Sequence, residues 1–189
     1  MQATDILSSE HRLIERVIAA MEVAANELEA GQPVRAGFFL DAARFIREFA
    51  DGWHHRKEEG VLFQAMADGG MPTHTGPIAV MLHDHERGRE LTVGLRDAAQ
   101  RLADGDQSSI AAIVFNVRAY SELLTQHIHK EDHILFRMAD SVIASDRHDE
   151  LLAEFARVES GRTGTLTKAD AVALADALVH EMGGVRLRA

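Results

Sequence analysis

"HHRKEEGVLF" occupies His54 to Phe63, and "HIHKEDHILF" occupies His127 to Phe136. The two share a frame: histidine first, lysine fourth, glutamate fifth and Leu-Phe at the end. Residues four apart on a helix lie on one face. The first stretch therefore offers two histidine–carboxylate pairs, His54/Glu58 and His55/Glu59. The second offers His127/Glu131 beside His129/His133.

Apolar periodicity around the two stretches is helical, with no alternating strand pattern. It predicts a first helix from about Asp5, capped by Thr or Asp, to Glu29. A second runs from about Arg35 to Ala67, a third from about Gly76 to Ala103, and a fourth from near Ser108 to about Ala144. Four long helices with short connections imply an all-α, antiparallel up-down four-helix bundle over residues 1–145. Residues 146–189 read as a C-terminal helical appendage. It has two shorter helices split by "SGRTGTLT", with Thr167 or Thr165 capping the last.

The stripes decide which histidines face inward. On helix four, Ile113, Tyr120, Leu123, Leu124, Ile134, Leu135 and Met138 form one stripe, with His127 and Glu131 in its middle; His129 and His133 fall on the polar side. On helix one, His11 sits among Leu7, Ile14, Ile18, Met21, Ala25 and Leu28. On helix three, His85 sits with Ile78, Met81, Gly88, Thr92, Leu95 and Leu102, while His83 turns away. Helix two leaves both pairs open. His54 and Glu58 align with Phe39, Ala43, Ile46, Ala50, Val61 and Ala65. His55 and Glu59 align with Phe45, Phe49, Phe63 and Met66. The register shared with helix four selects His54/Glu58. Each helix thus sends one histidine inward, and two add a glutamate. Leaving such groups buried without partners would cost about 1–3 kcal/mol each.

The composition narrows what such a site does. The 189 residues include eleven histidines and no cysteine, and the net charge is −10 with histidines neutral. Thiol catalysis, thiolate zinc and cysteine-ligated clusters are excluded. Nucleic acid or an anionic membrane is not an expected partner. No stretch approaches the ~20 apolar residues of a membrane span, and the start lacks the basic and apolar regions of a signal peptide, so a cytoplasmic protein is expected. Four imidazoles and two carboxylates suit two divalent first-row metals with open coordination positions. The ligand types alone also admit manganese or zinc.

Four segments, "SSEHRLIERVI", "HHRKEEGVLF", "GPIAVMLHDHERGRE" and "HIHKEDHILF", together resemble the hemerythrin-like, or HHE cation-binding, domain over about residues 4–144. The resemblance implies a non-haem di-iron centre, oxo- or hydroxo-bridged. Its ligands would be His11, His54, Glu58, His85, His127 and Glu131, with the glutamates bridging. It implies a small diatomic or peroxide ligand: dioxygen, hydrogen peroxide or nitric oxide. The function expected is reaction with or sensing of such oxidants, in oxidative or nitrosative stress or iron handling. The alternatives are a sensor module without turnover, or an oxygen carrier. Where the oxygen carriers resemble His-x-x-x-His on helix three, this chain has Arg89 four residues after His85. Asp132 falls five after His127 but lies off the stripe, so Glu131 is preferred. His55, His83 and His129 flank the ligands, and Trp53 and Tyr120 are candidates to line the pocket.

Overall fold

The computed structural model of the chain describes residues 2–161 and 164–183. These residues are helical, with no strand among them. Helix α1 is Ala3–Glu29. It begins two residues earlier than expected because Gln2 precedes it, with its backbone N–H donating to Asp5 at 2.7 Å. It ends at Gly31, whose φ of +75° suits glycine.

Helix α2 spans residues 36–68 in four consecutive stretches. Ala36–Phe45 is α-helical, Ile46–His55 and Glu58–Leu62 are π-helical, and Phe63–Asp68 is α-helical again. In π-helical turns the hydrogen bonds run to the fifth residue, so the turn is wider. Gly52 sits inside the first such stretch. A Cβ there would stand 3.1 Å from the Arg47 carbonyl oxygen, tighter than ordinary packing. Helix α3 is Gly76–Ala103, as the sequence predicts. Helix α4 spans residues 107–142: a 3₁₀ turn Gln107–Ser109, then Ile110–Lys130, a π-helical turn Glu131–Leu135, and Phe136–Val142. Asp106 caps it, accepting the Ser108 N–H at 3.0 Å.

α1 packs on α4, α4 on α3, and α3 on α2. The apolar interior falls into two clusters. One contains Ile14, Met21, Phe45, Phe49, Leu95 and Val117; the other contains Leu7, Leu62, Phe63, Ile78, Leu135 and Phe136. His11, His54, His85 and His127 lie in sequence between the parts of their helices that feed these clusters, so a polar layer divides the core. The expected stripes of α1 and α3 are buried throughout. That of α4 is not: Ile134 is 53% exposed. It lies in the π-helical turn, which shifts the register so that Leu135 and Phe136 face inward together.

Beyond Val142, a 3₁₀ turn Ser145–Arg147 leads into α5, His148–Ser160, and α6 is Lys168–Glu181. Thr167 caps α6, accepting the Asp170 N–H at 3.1 Å. Of the predicted connecting segment, Arg162 and Thr163 lie outside the described residues, as do residues 184–189 of the appendage. α5 buries Leu151 and Phe155 in the second apolar cluster, and α6 buries Ala171, Ala175 and Leu178 in the first. Together they cover the outer face of α2, so both of its stripes are buried.

Glu48 of α2 fastens α6 in place. It accepts the backbone N–H groups of Thr165 at 2.7 Å and Leu166 at 2.9 Å, and meets Arg44 and Arg47. Burial pushes its carboxyl up, but these backbone and arginine hydrogen bonds hold it at about 2. A depressed carboxylate stabilises the fold above its unfolded pKa and loses that contribution as pH falls through its folded one. Glu48→Gln is expected to lower stability by about 1–3 kcal/mol at neutral pH. Urea midpoints should show the gap to the unsubstituted chain closing as pH falls from about 4.5 towards about 2.

Candidate metal centre

The centre is built around two fully buried carboxylates, Glu58 of α2 and Glu131 of α4. Four imidazoles close on them. His54 Nε2 stands 3.2 Å from Glu58 and His85 Nε2 3.4 Å from it. His11 Nε2 and His127 Nε2 each stand 3.2 Å from one oxygen of Glu131. His85 and His127 face each other, Nε2 to Nε2, at 3.2 Å. The six residues singled out in the sequence therefore meet at one place.

Each imidazole turns its other nitrogen, Nδ1, towards an outer carboxylate. His11 meets Asp132 at 2.8 Å, His54 meets Glu10 at 3.1 Å, and His85 meets Glu59 at 2.7 Å. Asp84 stands 3.5 Å from His127 Nδ1, at the limit of hydrogen-bond reach. Such contacts fix the tautomer and aim Nε2 inward.

The repeated stretches now have a physical account. In each, the first histidine and the fifth-position glutamate face the centre. The sixth-position acid, Glu59 or Asp132, orients a histidine on another helix, His85 or His11. The tenth-position phenylalanine stacks on that same histidine: Phe63 on His85 at 6.1 Å and Phe136 on His11 at 5.5 Å. The fourth-position lysine reaches the acid that orients its own stretch's histidine: Lys57 pairs with Glu10, and Lys130 with Asp84 at 2.6 Å. Those acids directly precede the other histidines, in Glu10-His11 and Asp84-His85. The two halves of the site use the same parts.

His55 breaks the match. Its counterpart in the second stretch is Ile128, a buried apolar residue. The sequence reading placed His55 beside the site; the structure places it inside, 3% exposed and stacked on His85 at 3.8 Å. The π-helical stretch ending at His55 explains how neighbours 54 and 55 both reach the interior. Its Nδ1 meets Asp51 at 3.3 Å, and Asp51 is held by Arg89 at 2.8 Å. Arg89 also holds Glu59. Two four-residue clusters result, each with donor atoms close enough to hold a metal ion: His55, Glu58, His85 and His127; and His11, His54, Glu58 and Glu131. Glu58 belongs to both.

A profile of the hemerythrin HHE cation-binding domain matches residues 2–139. The chain belongs to this family. Uncharacterised proteins of Mycobacterium bovis and of two Mycobacterium tuberculosis strains are 25% identical over 162 residues, which is 86% of this chain and 63% of each of theirs. The chain thus spans less than two thirds of these relatives. No solved structure matches.

The donor set fits the cation this HHE domain is named for. His11 Nε2 and all four oxygens of Glu58 and Glu131 are buried with no hydrogen-bond partner among the described residues. The approaches of 3.2–3.4 Å around them are therefore not hydrogen bonds. Burial disfavours the imidazolium of His54, but the charge of Glu58 and the hydrogen bond to Glu10 raise it to about 10. Against the same burial, Glu131 and Asp84 raise His127 to about 9. These imidazoliums neutralise the central carboxylates, and a metal ion would take over that role. His55 goes the other way: burial and the charge of His85 push it to about 3, so it is a neutral donor.

The other flanking histidines, His83 and His129, are exposed, as is His133. Trp53 is buried but packs edge-on against Phe49. Lys57 is fully buried and also bonds Glu159 of α5 at 3.0 Å. Lys57→Met alone is expected to cost about 1.5–3 kcal/mol in thermal unfolding, because buried Glu10 loses its nearest cation and keeps His54 at 3.1 Å and Lys168 at 3.8 Å. The Lys57→Met/Glu10→Gln pair should recover part of that loss.

Proposed function

We propose that the chain is a non-haem di-iron protein of the hemerythrin type, with its four long helices in an antiparallel up-down bundle, that reacts with or senses a small oxidant such as dioxygen, peroxide or nitric oxide. The observation that carries this reading is the pair of buried, unpartnered carboxylates ringed by inward imidazoles. His11 and His54 serve one metal position; His85, His127 and His55 serve the other; Glu58 and Glu131 lie between. When bound, the irons supply electrons and open coordination positions for a small oxidant.

The residues do the rest. The outer acids Glu10, Asp51, Glu59, Asp84 and Asp132 keep the proton on Nδ1 and leave Nε2 free to donate. Hydrogen bonds from His55 and Arg89 outweigh burial and hold Asp51 at about 2, so it stays ionised. Phe63, Phe136 and Leu135 exclude water from one side of the centre. His55 makes the two positions unequal, three nitrogens against two. It takes the part of a fifth histidine that Arg89 cannot fill on α3; Arg89 anchors the acids behind His55 and His85 instead.

A second reading, a sensor without turnover, draws on the chain of contacts from His54 through Glu10 and Lys57 to Glu159 on α5. Peroxide turnover would favour the first reading. A metal-dependent change in protease sensitivity beyond residue 146, without turnover, would favour the second.

Elemental analysis after iron loading is expected to give about two irons per chain. His54→Ala and Glu131→Ala should lose metal, and His133→Ala should keep it; equal retention in all three would overturn the assignment. His55→Ile copies the Ile128 half. It should retain the metal pair while the two Mössbauer signals of the loaded protein converge.

A further inference from the structure

A cavity of about 170 Å³ lies between α2 and α3. Ala43, Ile46, Gly88 and Val93 contribute to its walls, and Thr92 turns its hydroxyl away onto the Gly88 carbonyl at 2.8 Å. Its buried end is made by Tyr120 and His55, with Asp51 beside them. Apolar cavities near ~150 Å³ admit benzene, so a single six-membered ring fits this one.

The buried end is polar in a specific way. The Tyr120 hydroxyl is fully buried and has no hydrogen-bond partner among the described residues. Burial and the nearby Asp51 charge both push its ionisation up, so it is a neutral donor with an unused O–H. Leaving that group unmet is unfavourable, which makes it the natural anchor for an occupant. Asp51 adds a carboxylate acceptor at the same end. One donor beside one acceptor complements a hydroxyl, which can accept from Tyr120 and donate to Asp51.

The rim does not select an anion. Arg44 and Arg47 are already paired with Glu48, Arg96 with Asp97, and Arg89 with Asp51 and Glu59. An aromatic carboxylate pushed inward would set its charge against Asp51.

We propose that this cavity binds a small neutral phenol, ring between α2 and α3 and hydroxyl between Tyr120 and Asp51. Occupancy of the cavity does not require metal. Its bearing on chemistry rests on the di-iron reading above: His55 lines the cavity and belongs to the three-histidine metal position, so the bound phenol would lie beside the centre.

Calorimetric titration of phenol, benzene and benzoate into the full chain, metal-free and iron-loaded, tests this. Phenol is expected to bind both forms, more tightly than benzene or benzoate. Tyr120→Phe should weaken phenol roughly tenfold and leave benzene unchanged, since one neutral hydrogen bond is lost. That variant removes only an unpartnered hydroxyl, so its fold should persist. Gly88→Ala, whose added Cβ would sit 3.6–3.7 Å from Leu124 and Tyr120, should narrow the cavity and weaken both ligands. No phenol binding to the metal-free chain, equal phenol affinity in Tyr120→Phe, or tighter binding of benzoate would each overturn the proposal. A chain that binds phenol as described yet takes up no iron would overturn the di-iron reading and leave the cavity assignment standing.

Discussion

Glu58 and Glu131 bring two like charges out of water into the middle of a helical core, and the rest of the molecule is arranged around that cost. Isolated buried carboxylates are strongly disfavoured. Here each meets one imidazole from its own helix and one from another, each imidazole is backed by an outer acid, and those acids meet a lysine or arginine in turn. Charge alternates outward in shells, and each shell draws on more than one helix. The constraint thus ties all four long helices to one point.

Much of this was legible in the sequence because the clean helices obey a simple period. α3 begins at Gly76 and ends at Ala103 as read, and the stripes of α1 and α3 place His11 and His85 correctly in the interior. Glu131 rather than Asp132 faces the centre, as its stripe requires, while Asp132 orients His11 from outside. The ambiguity on α2 was real. Both candidate stripes are buried, with the last two helices packed on α2 as well as the other long helices, so burial of an apolar stripe could not choose between them.

What escaped the wheel shares one cause. A hundred degrees per residue assumes α-helical turns, and the chain departs from them at Ile46–His55, Glu58–Leu62 and Glu131–Leu135. There His55 turns in and Ile134 turns out. The outer acids did leave a signal, an acid directly before His11 and His85 and another at the sixth place of each repeated stretch. Its meaning needs the fold, since every such acid serves a histidine on a different helix.

Lys57 and Lys130 hold the same place in the two halves, but they live differently. Lys130 is partly open to solvent, whereas Lys57 is sealed beneath α5, with Phe155 over its ammonium and Glu159 as its second acid. Inheritance of the two features is therefore linked. A descendant that shed the C-terminal helices would bare the apolar surface around Lys57 and remove one of its two counter-charges. A descendant that kept them but exchanged the lysine for an apolar residue would leave Glu10 to His54 and both acids to share Lys168. Position 57 and the last two helices are thus physically coupled, and long and short members of the lineage are expected to differ at that position.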